Sequence, residues 1–242
     1  MGVLIVPNHN VKFNVVAWRP FLVRGAERFK FVDRLLLCIM PISFCTTEGV
    51  DGSGKSTVME AITEHYPNAV TTSEPSEMWT GKQVRRCLSD ESIDPLTDFY
   101  FFMGDRVHHI QNTVVPAVRR GGFVISDRYA DSTRAYQPVA LAESEYFETQ
   151  AQAKFFIEQT MDPWNYEPEL TLYIDVSVDT AIERCDEDEK YEKREFLEEV
   201  KKNYDALAET QNRIVRIDGE QSKEGVKADA LAELDATSFD RT

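Results

Sequence analysis

The string Gly49-Val50-Asp51-Gly52-Ser53-Gly54-Lys55-Ser56 constrains this chain more than any other feature. It fits GxxxxGK[ST] and lies between an apolar run, Ile42 to Thr46, and a helical pattern from Lys55 to His65. Such a loop works only between a strand and a helix, because its glycines turn backbone N–H groups inward around phosphate oxygens and the helix N-terminus adds its positive end. Lys55 then neutralises β/γ charge, and the Ser56 hydroxyl completes a Mg²⁺ shell. A glycine-rich structural turn needs no Lys followed by Ser. Gly49, Val50, Asp51, Gly52, Ser53, Gly54, Lys55, Ser56 and Thr57 are therefore the candidate ATP-binding set.

The rest of the chain continues the alternation that this loop begins. Short extended segments are expected at Ala69 to Ser73, Phe123 to Ser126 ending at Asp127, Leu170 to Asp175, and Ile214 to Ile217. Helical patterns occupy 79–88, 96–119, a short turn of helix at Tyr129 to Ala135, about 143–160, 185–208, and Ser222 to Leu234. Strands separated by helices predict a parallel sheet covered on both faces, an α/β fold in one domain over 41–242.

Charge narrows the partners. The chain carries 27 basic and 42 acidic residues, net −15. An extended polyanion-binding surface is not expected, so nucleic acid is not an expected partner and any phosphate site must be local. An acidic body of this kind suits a salt-rich cytosol, as in a halophilic archaeon or its virus. Residues 1–40 differ, with six basic residues (Lys12, Arg19, Arg24, Arg28, Lys30, Arg34) against Glu27 and Asp33. We read them as a poorly ordered extension, with Met40 a candidate start, in preference to a basic docking arm. The run Leu35 to Met40 is far short of the roughly twenty residues of a membrane span, and no basic segment precedes Val3-Leu4-Ile5-Val6, so neither membrane insertion nor export is expected. Cys38, Cys45, Cys87 and Cys185 form no paired motif, which fits a reducing cytoplasm.

Asp127 and Arg128 stand at the carboxyl end of an expected strand, where a second acidic centre for Mg²⁺ and a phosphate ligand belong. As an alternative, Asp127 caps the following helix. Phe102 and Arg106 are four residues apart, so one helix face can offer a base both stacking and a hydrogen bond, while Phe99 and Ile110 read as core. His108 and His109 show no carboxylate or cysteine partner in the pattern and read as structural or solvated.

Thr46 through Thr57, then Ser73-Glu74-Pro75, Phe102-Met103-Gly104-Asp105-Arg106, Asp127 through Gln137, and Glu167 through Asp175 together resemble the thymidylate kinase family over roughly 41–235. The Asp-Arg-Tyr…Ala-Tyr-Gln string is far more specific than the glycine-rich loop. The resemblance implies a P-loop kinase of three-layer α/β/α form, with a five-stranded parallel sheet and a short lid at about 185–192. It implies transfer of the ATP γ-phosphate to dTMP with Mg²⁺, usually in a homodimer, within dTTP biosynthesis. Carried over by position, Asp51 approaches the sugar 3′-hydroxyl, Phe102 stacks on thymine, Arg106 reaches a thymine carbonyl and Arg128 holds the dTMP phosphate. Tyr136 fills the space of a ribose 2′-hydroxyl, and Ser132 and Gln137 line the pocket; Glu74 and Pro75 join this set either as direct contacts or, equally, as residues that only shape a turn. Ser56 and Asp127 are the metal candidates.

Three positions depart from the family pattern. Ser73 replaces a frequent Arg, a loss that Arg86, Arg106 or Arg134 would have to make good. Pro138 replaces a Gly and is expected to alter a loop over the sugar. Gly52 stands where some members carry a catalytic Arg, which leaves Lys190 in the lid as the catalytic candidate beside Lys55 and Arg128, and Lys lacks the bidentate fork of Arg. Two other readings remain: a related deoxynucleoside monophosphate or nucleoside kinase, and a nucleotide-binding protein with weakened catalysis.

Overall fold

The computed structural model describes residues 43–184 and 194–239. The basic extension, the expected lid with Lys190, and the last three residues lie outside these. In chain order the elements are β1 (Phe44–Glu48), α1 (Lys55–His65), β2 (Val70–Ser73), α2 (Trp79–Leu88) and α3 (Pro95–His109). A π turn (Ile110–Val114) leads to α4 (Val115–Arg119), then β3 (Val124–Asp127), α5 (Ala130–Ala142) and α6 (Gln150–Met161). β4 (Leu170–Asp175), α7 (Val178–Arg184), α8 (Arg194–Thr210), β5 (Ile214–Asp218) and α9 (Lys223–Phe239) complete the order.

The five strands form one parallel sheet in the order β2-β3-β1-β4-β5. Every residue of β1 is buried, as expected for a central strand covered on both faces. On one side α1 and α9 pack Val58, Ile62, Val226 and Leu234 onto Cys45, Ile125, Leu172 and Ile174. On another, Val200 and Tyr204 of α8 meet Ala135 and Val139 of α5. Phe99 and Met103 of α3 join Leu141 and Ile157 in a further cluster, so the expected core role of Phe99 holds, and Ile110 packs against Phe44 and Val124.

Three expectations need correction. The helical pattern at 96–119 is interrupted by a π turn, because Pro116 has no N–H for the i−4 carbonyl and the chain widens just before it. The helix expected over about 143–160 begins only at Gln150, capped by the Thr149 hydroxyl, which accepts from Gln152 N at 3.3 Å. Residues 143–149 are turn and bend, and α5 runs seven residues beyond the expected Ala135 to reach Ala142. Pro138 therefore sits inside a helix, and there is no loop at that place for it to alter.

Register determines what the carboxyl edge of the sheet presents. Thr47 pairs with Asp127, Ser73 also pairs with Asp127, and Glu48 pairs with Tyr173. The glycine-rich loop, the Glu74-Pro75 turn and the Asp127-Arg128-Tyr129 turn consequently leave the sheet side by side. β2 and β3 lie to one side of β1 and β4 and β5 to the other, which is where ligands enter open α/β sheets.

Candidate active site

The glycine-rich loop is closed by its own backbone and by Lys55. Gly49 has φ 143°, and a Cβ there would come 2.6 Å from the Ile174 carbonyl and 2.8 Å from Ser53 Oγ, so only glycine fits. Gly54 caps α1 at φ 101°, a left-handed conformation, with open space where its Cβ would stand. Val50 contributes only backbone, since its side chain is in the core. Lys55 Nζ donates to the carbonyls of Val50 (2.8 Å) and Gly49 (3.2 Å) and lies 3.7 Å from the Asp51 carboxylate. Burial and the nearby Arg128 charge push the ammonium down to about 8, against the opposing pull of Asp51, Asp127 and Glu48.

Arg128 is the non-glycine residue with positive φ among those described, at 63°. Its Nη2 donates to Asp51 Oδ1 at 2.5 Å, its Nη1 donates to Ser132 Oγ at 3.1 Å, and the guanidinium lies 5.2 Å from the Tyr136 ring centroid. Burial alone would raise the Asp51 carboxyl, but Arg128 and Lys55 outweigh it and hold Asp51 well below the usual range. Beneath them Glu48, wholly buried at the end of β1, accepts from Tyr129 N (2.8 Å), Ser132 Oγ (2.5 Å) and Tyr204 OH (2.9 Å). Burial and the neighbouring Asp131 charge push it up to about 7.

All nine expected acceptor-site residues line a single cleft of about 570 Å³, open to solvent: Asp51, Glu74, Pro75, Phe102, Arg106, Arg128, Ser132, Tyr136 and Gln137, joined by Leu88 and Thr133. Glu74 is more than a turn former. It accepts from Arg106 Nε at 2.8 Å and faces His109 Nδ1 at 3.0 Å, so His109 has the carboxylate partner that was absent from the sequence pattern. Thr72 Oγ1 meets the other ring nitrogen at 2.8 Å. Arg106 also donates through Nη2 to Tyr129 O and Thr133 Oγ1 and through Nη1 to the Met161 sulfur, leaving one Nη1 proton for a ligand.

The Ser73 substitution is not offset by Arg134. That residue is buried between Asp131, Glu158 and Glu167, while Arg86 is exposed and outside the cleft lining. Arg85, which the sequence reading passed over, is the cation bonded to the turn, through Pro75 O (2.9 Å) and Ser76 O (2.8 Å).

Asp127 Oδ1 is buried with no hydrogen-bond partner, and Ser56 is exposed at the loop, a donor set that suits Mg²⁺ bound mainly by phosphate oxygens. Asp127 does not cap α5, whose N-cap position is Tyr129. Among the described residues no cluster of three or more acidic, His or Cys side chains could hold a metal without such a ligand. A second cleft opens beside the loop, lined by Ser53, Gly54 and Thr57 together with Arg184, Gly219, Gln221 and Lys223. The last four were missed, although Gly219 directly follows the β5 strand at the same carboxyl edge.

Comparison with known proteins agrees with this geometry. The thymidylate kinase family model matches residues 47–230. A protein of Halobacterium salinarum named "probable thymidylate kinase" is 42% identical over 191 residues, covering 78% of this chain and 94% of its own. One of the same name from Halorubrum lacusprofundi is 38% identical over 193 residues, covering 78% and 97%. Another from Pyrobaculum aerophilum is 35% identical over 197 residues, covering 80% and 96%. With the glycine-rich loop, the Asp-Arg-Tyr turn and the Phe102–Arg106 wall around one cleft, the chain belongs to the thymidylate kinase family.

Proposed function

We propose that this protein transfers the γ-phosphoryl group of ATP to dTMP, giving ADP and dTDP. The observation that carries the reading is Arg128, held between Asp51 and Ser132 where the glycine-rich loop meets the cleft walled by Phe102 and Arg106. A monophosphate on Arg128 has its base directed towards Phe102 and its anionic oxygen towards the loop. That oxygen is already deprotonated, so no general base is required; the P–O bond to the acceptor forms as the bond to ADP breaks.

The residues act by position and charge. The loop N–H groups and Lys55 hold the donor phosphates, and Arg128 holds the acceptor. Phe102 stacks on thymine, Arg106 donates its remaining Nη1 proton to a base carbonyl, and Tyr136 and Gln137 bound the sugar. Ser56 and Asp127 would hold Mg²⁺, which neutralises charge on the donor phosphates when bound. Arg184, Gly219, Gln221 and Lys223 bound the cleft open to the donor's base. Lys190, outside the described residues, is the remaining candidate for covering transition-state charge. A homodimer completes the reading, supported by the exposed aromatic rings of Tyr100 on α3 and Phe155 on α6; a sedimentation mass of one chain would remove it.

ADP release with ATP and Mg²⁺ is to be measured with dTMP, dUMP, dCMP and thymidine as acceptors. The expected result is turnover greatest with dTMP and abolished by Lys55→Ala. Turnover greatest with another acceptor makes the protein a related kinase, and binding of ATP and dTMP without turnover makes it a nucleotide-binding protein.

A further inference from the structure

Glu48 is a buried carboxylate that the transfer itself does not use. It does not line the acceptor cleft, yet its three hydrogen-bond donors come from three elements: the turn after β3, α5 and α8. Two of those donors lead to Arg128. Tyr129 N belongs to the residue immediately after the left-handed Arg128, a conformation costly for any side chain with a Cβ. Ser132 Oγ is the hydroxyl on which Arg128 Nη1 rests.

A serine hydroxyl has one proton and two lone pairs. Glu48, as a carboxylate, can only accept, so it takes the proton of Ser132 at 2.5 Å. The serine oxygen is then obliged to present a lone pair to Arg128 Nη1 at 3.1 Å. The Tyr204 hydroxyl lies 2.9 Å from the same Glu48 oxygen and also 2.9 Å from Ser132 Oγ, but the carboxylate, charged and at 2.5 Å, is the nearer and stronger acceptor for the serine proton. An uncharged amide in place of Glu48 could direct its NH₂ at Ser132 and reverse that polarity, turning the serine proton towards a cation.

We propose that Glu48 is the positioning residue of the acceptor site: it holds Arg128 through Tyr129 N and, by fixing the direction of the Ser132 hydroxyl, through the guanidinium itself. This inference rests on the assignment of Arg128 to the acceptor phosphate. Because Glu48 acts on Arg128 and not on the glycine-rich loop's phosphate contacts, its loss should separate the two substrates.

The test is Glu48→Gln, a change of nearly equal volume, assayed at pH 8 with whichever monophosphate the wild-type protein phosphorylates best, so that a different acceptor would not obscure the outcome. Loss of a charge-assisted hydrogen bond predicts a fall in acceptor kcat/KM of about tenfold to a hundredfold, with ATP affinity changed by less than about threefold. The decisive readout is a double-mutant cycle with Ser132→Ala. If Glu48 acts through the serine, Glu48→Gln adds little further loss in the Ser132→Ala background. Additive losses, an equal loss for both substrates, or unchanged acceptor kinetics in Glu48→Gln would overturn the proposal. Should Glu48→Gln fail to fold, Ser132→Ala alone decides. Lowered acceptor affinity with ATP affinity intact is expected, and unchanged acceptor affinity overturns the relay.

Discussion

Arg128 and Phe102 show how single residues gain their roles from different sources. Phe102 is half-buried and shares a helix face with Arg106, a relation written in their four-residue spacing. Its ring borders both the cleft and the cluster of Phe99, Met103 and Leu141, so a core role and a stacking role predict different kinetics. Stacking on the base predicts that Phe102→Ala raises KM for dTMP about tenfold or more while KM for ATP stays within about twofold. Equal increases in steady-state assays would place the ring in the core. Arg128 stands out in the sequence as a candidate phosphate ligand from its place beside Asp127 at the end of an expected strand. Its restraint by Asp51 and Ser132, and the carboxylate beneath it, are not legible there, because Glu48 and Tyr204 are 156 positions apart. The same holds for Glu74 and His109, joined across 35 positions by a contact that no local pattern contains.

At the scale of elements, α5 shows a stability device next to a functional face. Ser132, Thr133, Tyr136 and Gln137 of this helix face the cleft, while Asp131 and Arg134 face away into a buried ion network. Asp131 accepts from both Arg213 guanidinium nitrogens at 2.7 Å and from Arg134 Nη1 at 3.0 Å, which ties α5 to the start of β5. Burial would raise the Asp131 carboxyl, but its bonds to Arg213 and the charge of Arg134 bring it below its ordinary value. Removing it leaves two partly buried guanidinium groups short of a partner. Asp131→Ala should therefore cost about 3–5 kcal/mol in urea unfolding at neutral pH and leave KM for dTMP within about twofold. Because the folded value is depressed, this contribution is present above the ordinary value of 3.8 and is lost as pH falls, so the gap between wild type and variant should close in acid. A constant gap, or no loss at neutral pH, would mean that the network contributes nothing net. The helix boundaries also separate what is local from what is not. α1 and α2 begin and end where the sequence pattern puts them, whereas α5 continues through Pro138 because packing of Val139, Ala140 and Leu141 outweighs the missing hydrogen bond.

For the molecule as a whole, the net charge of −15 and a sheet edge gathering Lys55, Arg106 and Arg128 set opposite demands. Surface repulsion is relieved by salt, since the screening length falls from about 10 Å at 0.1 M to about 3 Å at 1 M. The cations of the site are buried and paired, and so are much less affected. Thermal unfolding in 0.1 M and 2 M KCl should show Tm rising by several degrees with salt. A flat or falling Tm would separate the acidic composition from salt tolerance. The sequence by itself determined the α/β alternation, the glycine-rich loop and the shared helix face of Phe102 and Arg106, because each rests on spacing within a strand, a turn or a helix; the other residues expected around the cleft came from the family resemblance of short motifs. Only the tertiary structure decided which carboxylates and hydroxyls hold Arg106 and Arg128, which arginine meets the Glu74-Pro75 turn, and where the second cleft lies. Those contacts depend on strand order and register, which bring distant segments to one edge and have no short-range signature in the chain.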